Sequence, residues 1–258
     1  MDMLPTPDTS HVSFDRIYEP YEDSYLFLDT LSSATEISFL HQRFSAAHEQ
    51  HGSPMIVETG VGSGVVLAFA AANAHIILGR PDVVTLGTDI NSFACHAASK
   101  TVETAISEMR SLKTTSLDIL NTDLTASIRP GLVDVLIFNP PYVPTEDLPD
   151  AVKHAEYNLR STMSPATSFA RDSHLLALSY AGGVNGMEVT NKLLAEIPVI
   201  LHPKRGVAYV LLCAQNKPEA VKQSIRQWGS EWRVLTAGFS GKKGGWEKLQ
   251  ILRIWREP

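Results

Sequence analysis

The sequence predicts an α/β protein with a mostly parallel seven-stranded β-sheet and helices on both faces. Short apolar runs typical of buried strands recur along the 258 residues, and helical stretches separate most of them. Alternating strands and helices favour parallel pairing through right-handed crossovers. The last two apolar runs are joined only by SGKKGGWE, a link short enough for a hairpin. One of these two strands should therefore run antiparallel to its neighbours.

The amino-terminal part of the chain predicts two helices and one strand. Residues 1–17 begin with MDMLPTPDTS, which is polar and contains proline, and we expect them to be flexible. The segment YEPYEDSYLFLDTL then places apolar residues at helical spacing, with Asp23 or Ser24 as a candidate N-cap. A second, amphipathic helix is predicted over 34–50. The apolar run that begins at Met55 predicts a buried strand over 55–58, which the following glycines end.

From residue 65 onward, strands and helices alternate. The small residues of 65–74 predict a helix that packs closely on the sheet. Further strands are predicted at 83–90, 114–120, 133–139, 206–213, 232–239 and 248–255, with helices at 91–111 and 218–229. Residues 143–180 interrupt this order with a polar, Ser/Thr-rich connection, and such long connections are usually functional or disordered. We therefore expect one domain over 18–258 that carries one long loop.

Charge and composition argue against several classes of protein. The formal net charge of −6 disfavours a protein that coats nucleic acid with a broad basic face. Cys95 and Cys213 lie far apart without metal-binding spacing, so we expect buried free thiols, a reducing compartment and no zinc site. No stretch of the sequence reaches the ~18 continuous apolar residues of a membrane helix. We therefore expect no membrane association.

A glycine-rich loop follows the first predicted strand. It reads Glu58-Thr-Gly60-Val-Gly62-Ser-Gly64, and its spacing differs from that of dinucleotide-binding loops and of P-loops. Two further acids follow later strands, Asp89 in TDIN and Asp123 in TDL. Each acid alone could be an N-cap or a solvated turn, but the carboxyl ends of parallel strands meet at the rim where ligands bind. Together they predict a ligand that contains an adenosine and needs no phosphate cradle.

The fourth strand of the predicted sheet ends in FNPPY at residues 138–142. Neither proline can continue a strand, because each lacks an N–H and has a fixed φ. The chain therefore leaves the strand at Asn139 in a stiff, extended turn. Taken alone, the pentapeptide could be a plain strand-ending turn.

These motifs, in this order and on these strands, resemble the class I S-adenosylmethionine-dependent methyltransferases, whose fold is a Rossmann-like seven-stranded sheet. NPPY is typical of the branch that methylates planar nitrogen. YEPYEDSYLFLD and AGGVNGMEV (181–189) resemble the eukaryotic and archaeal HemK-related enzymes. These enzymes methylate N5 of the glutamine in the GGQ motif of the class 1 translation release factor. The resemblance covers nearly the whole chain from Tyr18, but the 143–180 connection is longer than the family pattern and Tyr180 replaces an expected tryptophan.

The resemblance implies S-adenosylmethionine as the cofactor. By the family pattern, its contacts are Ser24, Glu58, Gly60, Gly62, Gly64, Asp89, Asp123, Leu124 and Asn139. Glu58 and the glycines approach the methionine part, Asp89 holds the ribose, and Asp123 with Leu124 borders the adenine. Asp118 is an alternative to Asp123, because TSLDILNTDL offers two acids, and the TDL motif favours Asp123.

The same resemblance makes FNPPY the catalytic motif, with Asn139, Pro140, Pro141 and Tyr142 as its residues. An amide or adenine amino group is a poor nucleophile, because its lone pair is delocalised. The Asn139 side-chain oxygen and the Pro140 carbonyl would accept hydrogen bonds from its N–H groups and favour a tetrahedral nitrogen in the transition state. The prolines hold that carbonyl rigid before substrate arrives. We expect Asn139, Pro140 and the aromatic face of Tyr142 to bind the substrate, without a catalytic metal.

Partners and location also follow from the resemblance. A small zinc-binding activator subunit should add a strand at the sheet edge near 113–120, forming a heterodimer, and 143–180 should face the substrate. Adenine N6-methylation is an alternative, although a net charge of −6 makes nucleic acid an unexpected partner. Protein lysine methylation is a second alternative. The expected location is the cytoplasm, with the nucleus as a second possibility.

Overall fold

The computed structural model describes residues 4–45, 52–109, 113–159, 165–241 and 248–257. These residues form seven strands, β1 (Met55–Thr59), β2 (Val84–Asp89), β3 (Thr115–Asn121), β4 (Val135–Phe138), β5 (Val207–Cys213), β6 (Trp232–Phe239) and β7 (Leu249–Arg256). They also form nine α-helices, α1 (Glu22–Leu31), α2 (Ala34–Phe44), α3 (Val65–Ala72), α4 (Ala74–Ile77), α5 (Ser92–Ser107), α6 (Ala151–Tyr157), α7 (Pro165–Ala177), α8 (Glu188–Ile200) and α9 (Pro218–Arg226). Residues 242–247, which include most of the predicted hairpin link, lie outside the described part of the chain.

The strands form one sheet in the order β3-β2-β1-β4-β5-β7-β6. β1 pairs in parallel with β2 and with β4, whereas β7 is antiparallel to both β5 and β6. The predicted seven-stranded, mostly parallel sheet with one antiparallel strand is therefore confirmed. Because β1 lies between β2 and β4, the strand order reverses there, and a crevice forms at the carboxyl ends of these strands.

The hydrophobic core lies on both faces of this sheet. In β5, Val207, Tyr209 and Leu211 join the core that also contains residues of α1, α2, α3 and α5. The alternate residues of β5 join the core that contains residues of α8 and α9. Side chains of a strand point alternately to opposite faces, so a fully buried β5 carries both cores. This central position explains why the strand reads as a continuous apolar run.

Residues 4–17 are anchored at two points, since Val12 and Ile17 are 7% and 4% exposed and contact the same small core as Ala94 of α5. The expected flexibility of residues 1–17 stays a prediction, whereas the expected N-cap of α1 is wrong. Neither Asp23 nor Ser24 caps α1, because the helix begins one residue after Tyr21, which makes no side-chain cap. Asp23 and Ser24 are instead buried in the first turn of the helix.

The 143–180 connection contains α6 and α7, where the sequence predicted one long loop. α6 begins with an ordinary N-cap, because the Asp150 carboxylate accepts a hydrogen bond from the backbone N–H of Val152 at 2.8 Å. The helix was missed because none of its seven residues is buried, so it carries no apolar stripe. Residues 160–164, between α6 and α7, lie outside the described residues.

Candidate functional site

A cavity of about 320 Å³ lies at the carboxyl ends of β1, β2 and β4. Its size is within the range of small-molecule sites. The predicted residues that line it are Ser24, Glu58, Gly60, Gly62, Asp89, Asp123, Leu124, Asn139 and Pro141. The register places Glu58 beside Gly87 of β2 and Ile137 of β4, so Asp89 and Asn139 both follow at the same rim.

Gly64 has a different position from the other glycines of the loop. It is not among the described residues that line the cavity, whereas Gly60 and Gly62 are. It precedes α3 with a φ of +80°, and a Cβ there would lie 2.7 Å from Ala98 Cα in α5. The family pattern makes Gly64 a cofactor contact, but its position in the structure is explained by close packing between the two helices.

Glu58 and Asp89 are buried carboxylates that organise the loop. Glu58 Oε2 accepts a hydrogen bond at 2.7 Å from the backbone N–H of Leu67, in the first turn of α3. Asp89 Oδ2 accepts one at 3.0 Å from Gly62 N–H, and Oδ1 accepts one at 2.8 Å from Asn91 N–H. Burial raises the pKa of Glu58 well above its usual value and raises the pKa of Asp89 to about 6. Asp89 thus joins β2 to the glycine loop and retains lone pairs for a ligand.

The raised pKa of Asp89 predicts that cofactor binding depends on pH. A ribose donates its hydroxyl hydrogens to an ionised carboxylate, so binding must displace the proton that Asp89 carries below about pH 6. We expect the dissociation constant of S-adenosylhomocysteine to be independent of pH above neutrality. Below pH 6 it should rise by up to about tenfold per pH unit. Calorimetry in buffers of different ionisation enthalpy measures both affinity and proton release. Asp89→Asn should bind more weakly with a flatter profile; an unchanged slope in that variant would contradict the assignment.

The structure distinguishes between Asp123 and Asp118, the two candidates for the adenine contact. Asp123 lies in the turn after β3 and lines the cavity together with Leu124, whose φ is +45°. Asp118 lies within β3, is exposed, and is not among the described residues that line the cavity. Its carboxylate accepts a hydrogen bond from the backbone N–H of Ile119 at 2.7 Å. The position of Asp123 is therefore the one that suits an adenine contact.

The side-chain amide of Asn139 is held in one orientation by Asp23. Asn139 Nδ2 donates to Asp23 Oδ2 at 3.0 Å, across 116 residues of sequence. Asp23 is 3% exposed, and its Oδ1 accepts a hydrogen bond from Ser24 N–H at 2.7 Å. Asn139 Oδ1 is buried and accepts no hydrogen bond from the described residues. An unpaired buried acceptor is unfavourable by about 1–3 kcal/mol, so this oxygen is prepared for a donor that enters the cavity.

The rest of FNPPY divides between the cavity and the core. Pro141 lines the cavity, whereas Pro140 and Tyr142 are not among its described lining residues. Tyr142 is 8% exposed and belongs to the hydrophobic core, and its carbonyl accepts a hydrogen bond from Asn216 Nδ2 at 3.0 Å. The roles of the Pro140 carbonyl and the Tyr142 ring in substrate binding therefore remain predictions.

Several lining residues were not predicted as site residues from the sequence. Asp23 was considered only as a helix cap, although its motif YEPYEDS was one of the features that indicated the family. Other unpredicted lining residues are Arg16, Tyr18, His154, Leu175, Leu178 and Lys192. They come from segments far from β1 and β2 in sequence. Tyr18 begins the YEPYEDS motif, whereas no local pattern marks the others.

The chemistry of the lining fits S-adenosylmethionine. Asp89 offers a carboxylate to vicinal hydroxyls, and Gly60 and Gly62 allow close approach of the backbone. The further acids Asp23 and Asp123 make the cavity suitable for a cation. Within the described ranges, no cluster of three or more His, Cys, Asp or Glu side chains could hold a metal ion. None of the described helices has the length and apolarity needed to span a membrane.

Comparisons with known proteins agree with this chemistry. The chain is 33% identical over 255 residues to the Homo sapiens "Methyltransferase HEMK2", covering 96% of this chain and 95% of that protein. It is 31% identical over 262 residues to the Schizosaccharomyces pombe "eRF1 methyltransferase catalytic subunit mtq2", covering 98% and 96%. No protein-family model matches the chain.

A solved structure supports the fold alone. The type IIG restriction endonuclease BpuSI aligns with a TM-score of 0.50 at 14% identity, over 93% of this chain and 26% of that one. The shared fold, the motifs and the full-length similarity to HEMK2 lead to the same assignment. The chain belongs to the HemK-related family of class I methyltransferases, enzymes whose cofactor is S-adenosylmethionine.

Proposed function

We propose that this protein methylates N5 of the glutamine in the GGQ motif of a class 1 translation release factor. The observation that carries the proposal is the Asn139 amide, whose Oδ1 lacks a donor while Asp23 holds its Nδ2. The name of the fission yeast relative, an eRF1 methyltransferase catalytic subunit, supports a release factor as the acceptor protein. The cytoplasm, where release factors act, is the location that we propose, with the nucleus as a second.

A planar carboxamide is the acceptor that this arrangement suits. The bound cofactor supplies an electrophilic methyl group on a positively charged sulfur. Asn139 Oδ1 accepts a hydrogen bond from the glutamine –NH2 and favours the nitrogen as it becomes tetrahedral and partly positive. Asp23 prevents the Asn139 amide from turning, so this acceptor is in place before substrate binds. The proton can leave after methyl transfer, so no strong general base is required.

The two alternative acceptors match the site less well. A lysine side chain is an ammonium at neutral pH, with a pKa of about 10.4, and must lose a proton before its nitrogen can attack. An adenine amino group resembles a carboxamide, but it is part of a nucleic acid. A nucleic acid is a polyanion, which a protein of net charge −6 repels. The cavity itself is lined by Asp23, Glu58, Asp89 and Asp123.

A methyl-transfer assay with labelled cofactor tests the acceptor. The acceptors offered are a GGQ-containing release factor, the same protein with the GGQ glutamine changed to alanine, and an adenine-bearing oligonucleotide. Each is tested with and without a small zinc-binding activator subunit. Label on the wild-type release factor alone supports the proposal. Label on the oligonucleotide, or equal label on the GGQ variant, would overturn the acceptor while leaving the family assignment intact.

We also propose that the activator subunit binds the β3 edge of the sheet. β3 is the terminal strand on that side, and among the described residues no strand pairs with its outer edge. Leu117 of β3 is 54% exposed, an unusual position for a large apolar side chain on an unprotected edge. A partner that adds a strand would cover both the free backbone groups and this side chain. Residues 110–112, just before β3, lie outside the described residues.

A charge at Leu117 should prevent this association. We expect Leu117→Lys to weaken binding of the co-expressed activator by at least about tenfold, because a buried lysine at an interface lacks a partner and repels strand addition. Co-purification and calorimetry measure the effect. Phe239→Lys is the matched control, since Phe239 is 68% exposed at the end of β6, the opposite edge of the sheet. Equal weakening in both variants, or in neither, would contradict the β3 site.

A further inference from the structure

One wall of the cavity is formed by the 143–180 connection and not by the ends of the strands. Leu148, Pro149, Ala151 and His154 line it from α6 and the residues before α6, and Leu175 and Leu178 line it from α7 and the turn after it. Most of these side chains are apolar, a surface suited to the face of a flat base. This wall belongs to the 143–180 connection, the part of the chain that exceeds the family pattern in length.

Packing alone does not explain why α6 occupies this position. The helix has seven residues, none of them buried, and a helix of this length is not stable by itself in water. One face contacts α7, where the His154 and Tyr157 rings lie 5.8 Å and 5.3 Å from the His174 ring. The remaining attachment to the rest of the protein is polar. The position of α6 against the cavity therefore depends on a few specific hydrogen bonds.

Asn158, at the carboxyl end of α6, makes three of these bonds. Its Oδ1 accepts a hydrogen bond from the backbone N–H of Ser92 at 2.7 Å, and its own carbonyl accepts one from Ser92 Oγ at 2.7 Å. Its Nδ2 donates to Asn121 Oδ1 at 2.9 Å. Ser92 is the first residue of α5 and follows the Asp89–Asn91 turn directly. Asn158 thus attaches the end of α6 to the segment that carries Asp89.

Asn121 and His154 extend the attachment to the turn itself. Asn121 Nδ2 donates to the carbonyls of Asp89 and Ile90, both at 2.9 Å. His154 Nε2 donates to the Ile90 carbonyl at 3.0 Å, and its Nδ1 is buried without a partner among the described residues. Burial lowers the pKa of His154, so the neutral ring leaves Nδ1 as a hydrogen-bond acceptor. Both turns of α6 are therefore attached next to the carboxylate that suits the ribose.

We propose that α6 is the wall that retains the adenosine end of the cofactor, and that Asn158 is the positioning residue that holds this wall on the Asp89 turn. Asn158 is not among the described residues that line the cavity, so it acts through the placement of α6 rather than by contact with a ligand. The inference rests on the cofactor assignment and is independent of which acceptor is methylated.

Affinity for S-adenosylhomocysteine is the first test, because its binding requires no acceptor. We expect Asn158→Ala to raise the dissociation constant about tenfold, mainly through faster dissociation, since the two side-chain hydrogen bonds that order the wall are lost. Asn158→Asp keeps an acceptor for Ser92 N–H and should recover part of the affinity. Glu156→Ala, an exposed position on the same helix, is the matched control and should bind like the wild type. Thermal unfolding without ligand should be nearly unchanged in all three variants, because α6 contributes no buried residue to the core.

Kinetics separate this role from a general structural one. With a GGQ-containing release factor, Asn158→Ala should raise KM for S-adenosylmethionine and leave KM for the release factor unchanged. Wild-type affinity in Asn158→Ala, the same loss in Glu156→Ala, or an equal rise in both Michaelis constants would overturn the proposal. If the release factor is not the acceptor, the wild type shows no turnover but the binding difference between variants persists, so the two failures are distinguishable.

Discussion

Asn139→Ala should reduce the rate of methyl transfer by about 10²–10³, the loss expected when one hydrogen-bonding group aimed at developing charge is removed. The variant loses the Oδ1 acceptor, so the substrate nitrogen is neither oriented nor stabilised as it becomes tetrahedral. Cofactor binding should change little, because the Asp89 carboxylate and the Gly62 backbone stay in place. Single-turnover kinetics and S-adenosylhomocysteine calorimetry measure the two effects separately.

The control for Asn139→Ala is a variant that removes a side-chain carboxamide far from the cavity. Gln223→Ala changes an exposed position of α9 and should leave both rate and affinity at wild-type values. If the rate of Asn139→Ala stays within about threefold of wild type, Asn139 Oδ1 is not the acceptor, because loss of such a hydrogen-bonding group lowers the rate much more. An equally large loss of cofactor affinity would instead make Asn139 mainly a cofactor contact.

Gly186→Ala should destabilise the protein and displace the catalytic motif. Gly186 has a φ of +67°, and a Cβ there would overlap the Tyr142 carbonyl oxygen and lie 2.7 Å from Asn216 Nδ2. The left-handed backbone costs about 1 kcal/mol for alanine, and the overlap adds about 1–3 kcal/mol. We expect the free energy of unfolding in urea to fall by about 2–4 kcal/mol. Activity should fall as well, since relief of the overlap moves Pro141 and Tyr142.

Gly131→Ala separates the two contributions to this loss. Gly131 has a similar φ of +71°, but the nearest atom to a Cβ there is Pro203 Cδ at 3.8 Å, an ordinary contact. We expect this variant to lose only about 1 kcal/mol from the backbone and to keep its activity. If both variants lose the same free energy, the contact between AGGVNG and FNPPY contributes nothing beyond backbone strain, and the prediction for the catalytic motif fails.

The features that sequence predicted correctly are those encoded by local patterns. Alternation of apolar runs with helical stretches predicted the seven strands, and the short SGKKGGWE link predicted that one of the last two runs antiparallel, which the structure shows to be β7. The glycines after β1 and the acids near the ends of β2 and β3 predicted the position of the cavity, because parallel strands end at a common rim. Pro140 and Pro141 predicted that the fourth strand ends at Asn139, since proline cannot extend a strand, and β4 ends one residue earlier, at Phe138. Each of these inferences uses residues close together in the chain.

The features that only the tertiary structure decided depend on contacts between distant residues. The pairing of Asp23 with Asn139 spans 116 positions, and neither residue's neighbours indicate it. Gly64 packs against Ala98, and Gly186 lies against Tyr142. From sequence alone, either glycine could equally have let the backbone approach a ligand. α6 has no apolar stripe because it is attached by hydrogen bonds rather than by burial. Residue type and spacing thus placed the site within the fold, whereas long-range packing determined which groups face the cavity and which of them are held in a fixed orientation.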